Sequence, residues 1–113
     1  MNLPKLSVNQ SPEDFDQLLD QARKASELLK ALSHEARLLI LCLLAEGERS
    51  VSELEEIMQM PQAAVSQQLA RLRFDRLVNT RRDGRVIYYS IASSEVAAVI
   101  GTLYDVFCVP VRK

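Results

Sequence analysis

The stretch SVSELEEIMQMPQAAVSQQLARLRFDRLVNTRRDGRVIYYSI, residues 50–91, decides how the rest of the chain is read. Ser52 and Glu55 have the spacing of a capping box, in which a hydroxyl and a carboxylate each accept from the other residue's backbone N–H at a helix start. They predict a helix through Met58, with Leu54, Ile57 and Met58 facing inward. Gln59-Met60-Pro61 reads as a short turn, because proline lacks a backbone donor yet is comfortable where a helix begins. A second helix is expected over 62–76, with Val65, Leu69 and Leu72 as its apolar stripe and Arg76 on the same side. Val78–Arg82 and Arg85–Ile91 carry the β-branched and aromatic residues of strands, and Asp83-Gly84 between them is a preferred type I′ hairpin pair. Ser50-Val51 could add a very short strand. Helix, turn, helix and hairpin in that order read as a winged helix-turn-helix.

The second helix leaves Gln62, Ala63, Ser66, Gln67, Ala70 and Arg71 on its outer face. Small and amide side chains there, followed by an arginine one turn later, suit contact with the major groove of double-stranded DNA. Ser66 and Gln67 can hydrogen-bond base edges or phosphates, and the alanines permit close approach. Arg82 and Arg85 flank the hairpin tip and would reach phosphates or the minor groove. Charge distribution agrees. Residues 1–61 carry a net −5, residues 62–91 a net +4, and residues 92–113 balance at zero. A basic lobe on an acidic body is the electrostatic form of a local polyanion site, although the whole chain is only −1.

Working outward, Ser11-Pro12-Glu13-Asp14 has the composition of a helix start, and 1–10 reads as a flexible tail. Phe15, Leu18, Leu19, Ala22, Ala25, Leu28, Leu29 and Leu32 then recur at three- and four-residue spacing, giving one long amphipathic helix over 11–32. Ser33 can cap a second helix, His34 to Ala45, whose apolar run from Leu38 should be buried on all sides. Gly47 is its expected C′ residue. His34, the only histidine, is expected in a surface or capping role. Ser93 or Ser94 starts a last helix through Cys108, with Val96, Val99, Ile100, Leu103 and Phe107 as its stripe, and Pro110 ends it. Gly101 inside that helix hints at close packing with another helix. The fold class is therefore mainly α, in the order α-α-α-α-β-β-α. One domain spans 11–109, and a homodimer is expected through the helices at 11–32 and 93–108.

Other classes fall away on composition. Apolar residues make up 48 % of the chain, enough for a core without metals or disulfides. The longest apolar run, Leu38–Ala45, is far short of the roughly 20 residues a membrane span needs. No basic-then-apolar leader opens the sequence, so a cytoplasmic protein with no membrane partner is expected. Cys42 and Cys108 are too far apart in sequence for the C-x-x-C of a thiol oxidoreductase, and in a cytosolic chain they are not expected as a permanent disulfide. Two thiolates are half the ligand set of a structural zinc site. No enzyme activity, metal or cofactor is expected.

The runs LLKALSHEARLLILCLL, VSELEEIM, MPQAAVSQQLARLR and RRDGRVIYYSI, in that order, resemble the ArsR/SmtB family of dimeric winged-helix repressors. The resemblance implies an operator-binding transcriptional repressor. The cysteines that arsenic and cadmium sensors of the family keep in the helix VSELEEIM are absent. So are the histidines that zinc and nickel sensors place on the last helix, which here offers only Glu95 and Asp105. Cys42 and Cys108 resemble instead the pair of the BigR/SqrR/HlyU-type persulfide and redox sensors. By that resemblance, low-molecular-weight persulfides or polysulfides would cross-link Cys42 to Cys108 within a subunit and release the DNA. A metal-responsive repressor is the alternative within the family. Pro61, Ala63 and Ala64 depart from the polar residues usual in the family at those positions, which shifts expected base readout towards Ser66, Gln67 and the wing.

Overall fold

The computed structural model describes residues 12–109. The expectations at Ser11, Pro110 and residues 1–10 lie outside the described residues. The elements are helix α1 (Pro12–Leu32), helix α2 (Glu35–Ala45), strand β1 (Arg49–Ser50), helix α3 (Val51–Met58), helix α4 (Gln62–Phe74), strands β2 (Val78–Asp83) and β3 (Val86–Ile91), and helix α5 (Ser94–Leu103). One turn of π-helix, Tyr104–Cys108, continues directly from α5. No described helix is long and apolar enough to cross a membrane. The chain divides into two compact units, Met1–Lys30 and Ala31–Lys113.

In the first unit, α1 opens with Glu13 and Asp14, whose charges suit the positive end of a helix dipole. Its surface pairs Arg23 with Asp20 at 3.8 Å and Lys30 with Glu27 at 3.3 Å, spacings that put both partners on one face. Phe15, Leu18, Leu19 and Leu29, all from the expected stripe, are exposed.

The second unit is built on α2, which packs against α4, α5 and β3. Ile40 and Leu41 are completely buried, and Cys42 and Leu44 nearly so. Leu39 stays about half exposed, so the helix is not covered on every side as its composition suggests. Its N-cap is His34, not Ser33: the imidazole Nδ1 accepts from the Ala36 backbone N–H at 3.2 Å. His34 thus caps, as expected of it. Glu46 is the C-cap and Gly47 follows at φ +150°, the C′ place assigned to it.

The sheet order is β1-β3-β2, all antiparallel. Arg49 of β1 pairs with Tyr89 of β3, so the short strand ties the start of α3 to the hairpin. The hairpin register sets Asp83 opposite Val86, which leaves Gly84-Arg85 as the two-residue turn rather than Asp83-Gly84. Gly84 has φ +64° and Arg85 does not share that sign. Glycine alone at the first central position is the pattern of a type II′ turn. A one-residue shift in the turn therefore puts Arg85 in the tip itself.

α4 also ends earlier than its composition suggests, at Phe74, with Asp75 as C-cap and Arg76 in the left-handed region at φ +61°. The Leu77 N–H donates to Leu72 O at 2.9 Å and the Arg76 N–H to Arg73 O at 3.0 Å. Those two bonds are the Schellman closure, sealed by the buried side chains of Leu72 and Leu77. Arg76, expected on the core side of the helix, is exposed beyond its end.

Candidate nucleic-acid interface and thiol site

The start of α3 lies two residues earlier than expected. Ser50, not Ser52, is the N-cap: its Oγ accepts from the Glu53 N–H at 3.1 Å, while Glu53 Oε1 accepts from the Ser50 N–H at 3.1 Å. Leu54 is fully buried beneath α4, but Ile57 is about half exposed. Gln59 closes the helix in the left-handed conformation at φ +55°. Pro61 then caps α4 through its carbonyl alone, accepting from Ala64 and Val65 at 3.0 and 3.2 Å. Val65, Leu69 and Leu72 fill the core side of α4 without remaining exposure, so its opposite face is fixed in direction.

That face holds the residues expected there. Gln62, Ala63, Gln67, Ala70 and Arg71 are exposed and Ser66 is half-buried. Among the described residues no side-chain hydrogen bond engages Gln62, Ser66 or Gln67, and Gln62 and Gln67 are exposed to solvent. Arg71 differs. Its Nε donates to Asp75 Oδ2 at 3.1 Å in an exposed pair. Arg71 must leave or share that carboxylate to meet a phosphate.

The wing sorts its arginines into two kinds. Arg82 and Arg85 are exposed and form no ion pair among the described residues. Arg81 is committed. Its Nε donates to both carboxylate oxygens of Glu48 at 3.0 and 2.9 Å, its Nη2 donates to the same group, and its guanidinium lies 4.6 Å from the centre of the Tyr88 ring. The hydrogen bond from Arg81 holds the Glu48 carboxyl below its ordinary range. Sequence reasoning did not find this bridge between β2 and the loop before β1. Its partners lie 33 residues apart, and no spacing rule links them.

The two cysteines come together in the second unit. Cys42, buried in α2, and Cys108, half-buried in the π-turn, interact directly. Burial, reinforced by the charge of and a hydrogen bond with Cys108, pushes the Cys42 thiol up to about 11. The π-turn makes this placement. Its Val109 N–H donates to Tyr104 O at 3.1 Å, a bond five residues long where a continuous α-helix, the expected form, would span four.

Both thiols line a cavity of about 510 Å³ together with Leu39, Leu43, Ile57 and Phe107. Its polar wall is a small network that the sequence reading missed. The Tyr104 hydroxyl donates to Glu46 Oε2 at 2.8 Å, Arg49 Nη2 donates to Glu46 Oε1 at 2.9 Å, and Arg49 Nε donates to Leu43 O at 3.2 Å. Nothing but the helix phase of Glu46 and Tyr104 could have suggested it. Among the described residues no three His, Cys, Asp or Glu side chains group so as to hold a metal. Gly101 has open space where a Cβ would stand, so the close packing expected of it is not made among the described residues.

Comparison with known proteins converges. The profile described as "Bacterial regulatory protein, arsR family" matches residues 34–80. The chain is 42 % identical over 98 residues to the transcriptional activator HlyU of Vibrio cholerae serotype O1, covering 87 % of this chain and 91 % of that one. It is 44 % identical over 90 residues to the biofilm growth-associated repressor of Agrobacterium fabrum, covering 80 % and 77 % of the two chains. Among solved structures, the regulator HlyU from Vibrio vulnificus superposes with a TM-score of 0.80 at 43 % identity, covering 84 % of this chain and 99 % of that one. The repressor BigR from Xylella fastidiosa gives 0.79 at 38 % identity, covering 91 % and 99 %.

Proposed function

Because this chain belongs to the ArsR family of DNA-binding transcriptional regulators, we propose that it is a homodimeric repressor that releases its operator when reactive sulfur species join Cys42 to Cys108. The family and the winged-helix fold are those of regulators that bind DNA, not of enzymes. The observation that supports the sulfur reading is the convergence of two thiols from different elements on one cavity, where Cys108 helps raise the Cys42 thiol.

DNA is read by α4 and the wing. Gln62, Ala63, Ser66 and Gln67 enter the major groove, with Gln67 placed to meet a base edge. Arg82 and Arg85 hold phosphates, and Arg71 does so after exchanging its partner Asp75. Dimerisation uses α1 and the last helix, whose exposed Phe15, Leu29, Val106 and Phe107 are more apolar surface than a lone chain needs. A two-fold dimer sets its recognition helices about 34 Å apart, one turn of B-DNA.

Release follows from sulfur chemistry. Cys108, the more accessible thiol, attacks the outer sulfur of a hydropersulfide R–S–SH as its thiolate and displaces R–SH, becoming Cys108–S–SH. A second donor extends this to Cys108–S–S–SH. Cys42 then attacks the middle sulfur and expels hydrogen sulfide. The sum is two protein thiols and two R–SSH giving one protein trisulfide, two R–SH and one H₂S. Each added S–S bond is about 2 Å long, so a trisulfide reaches further than a direct disulfide. Once formed, it ties the π-turn to α2, on which α4 packs, and shifts the dimer population away from the groove-matched spacing.

The test is intact-mass analysis and operator binding after treatment with glutathione persulfide, with diamide and with divalent metals. Extra sulfur between Cys42 and Cys108, accompanied by loss of DNA binding, is expected. Cys42→Ser and Cys108→Ser should each bind operator yet stay bound after treatment. A single mutant that still releases fully overturns the paired-thiol reading.

A further inference from the structure

Cys42 and Cys108 share one cavity, whose lining bears on what could approach them. Its lining is apolar except for Glu46, Arg49 and Tyr104. The one cation there, Arg49, is held by Glu46 at 2.9 Å and by the Leu43 carbonyl at 3.2 Å, and both charged side chains are about three-quarters buried. The second oxygen of Glu46 is held by Tyr104 at 2.8 Å. The charges of the wall cancel against each other. Among the described residues an anionic donor finds no uncommitted cation in this wall, and to gain Arg49 it must break a largely desolvated ion pair. Loss of one partner of such a pair leaves the other charge uncompensated. An apolar donor meets Leu39, Leu43 and Ile57, of which Leu39 and Ile57 are about half exposed. The volume, about 510 Å³, is that of a small-molecule site.

We propose that this cavity is a specificity site that admits uncharged organic polysulfides with alkyl or aryl groups in preference to anionic, peptide-bearing ones such as glutathione derivatives. The inference rests on the Cys42–Cys108 reading above and adds the substrate class. The organic group lies against Leu39, Leu43 and Ile57 while Cys108 attacks the central sulfur of R–S–S–S–R and displaces R–S⁻. Cys42 attacks the same sulfur chain at its middle atom and displaces the second R–S⁻. Two protein thiols and one trisulfide give a protein trisulfide and two R–SH, so the donor itself is the oxidant.

The experiment compares dipropyl trisulfide with glutathione trisulfide on the reduced full-length protein, following formation of the Cys42–Cys108 trisulfide by mass. Each rate is divided by the same donor's rate with N-acetylcysteine, which removes intrinsic reactivity. The normalised rate should favour the dipropyl donor by about tenfold or more, the scale on which apolar pockets discriminate. Ile57→Lys, at a half-exposed position, should bring the ratio close to one by adding an uncommitted cation. Leu39→Lys serves as a second variant, and cooperative urea unfolding confirms that each is folded. Equal normalised rates on the wild-type protein, or a ratio unmoved in both lysine variants, overturn the selectivity and leave the thiol switch standing. No cross-link with either donor overturns the switch itself.

Discussion

Cys42 is a buried thiol and one of two candidate sensors, and these two facts pull against each other. Only a thiolate attacks sulfur, and burial holds Cys42 as the neutral thiol, with a value near 11 in place of the ordinary 9.0. Its step in bridge formation should therefore quicken by about tenfold per pH unit between pH 7 and 10, measurable as the rate of trisulfide closure. Stability responds in the same range with a definite sign. A raised value means the folded state binds the proton more tightly than the unfolded chain. The contribution is complete below about pH 9 and is lost as pH rises through about 11. Urea unfolding of the wild type and of Cys42→Ala should show the gap between them shrinking over that interval.

The wing arginines make a second residue-scale case. Arg82→Ala and Arg85→Ala should each weaken operator and random DNA alike and lower the slope of log K against log salt by about one. Arg81→Ala should act differently, because its guanidinium already belongs to Glu48 and Tyr88. It should leave the salt slope nearly unchanged. A fall equal to that of Arg82→Ala in fluorescence-anisotropy titrations would place Arg81 among the phosphate ligands. Gln67→Ala should lower discrimination between operator and random DNA, by about 1–3 kcal/mol if the amide meets a base edge.

Among the elements, the helix ends show what composition can and cannot tell. The element order and the apolar stripe of α4 were legible because periodicity is set by burial: Val65, Leu69 and Leu72 are fully buried where spacing put them. The ends depend on competition between nearby groups of similar chemistry. Two Ser-x-x-Glu patterns overlap at Ser50–Glu53 and Ser52–Glu55, and the first wins because β1 pairing with β3 fixes Arg49 and Ser50 as extended. His34 likewise displaces Ser33 as the cap of α2. The cysteine contact was legible only as a resemblance, since nothing local records a π-turn. The residue that ends α4 yields a test. Arg76 occupies a left-handed conformation that favours glycine, at a cost on the order of 1 kcal/mol for a side chain. Arg76→Gly should raise the unfolding free energy by about that much. A loss of stability would show that the exposed arginine side chain makes a larger contribution than its backbone strain.

At the scale of the molecule, the single chain exposes more large apolar side chains than solvation favours, Phe15 and Leu29 on α1 and Val106 and Phe107 on the π-turn among them. If these close a two-fold interface, Phe107→Asp should shift the protein towards monomer in sedimentation. Operator affinity should fall by more than tenfold, because one half-site then binds without the other. A monomer that keeps full affinity would separate dimerisation from recognition.

The π-turn also sets the angular phase of the last described residues. A bond five residues long takes in one residue more than an α-helical turn, so Val109 is set back by about 100° around the axis relative to regular winding. Cys108 lines the cavity with Cys42 in that winding. Deleting a single residue between Tyr104 and Cys108 would remove the extra residue and its setback together, so regular winding would keep the second thiol at nearly the same angle. The wide turn is in this sense an absorbed insertion: the added residue and the turn that houses it cancel in phase.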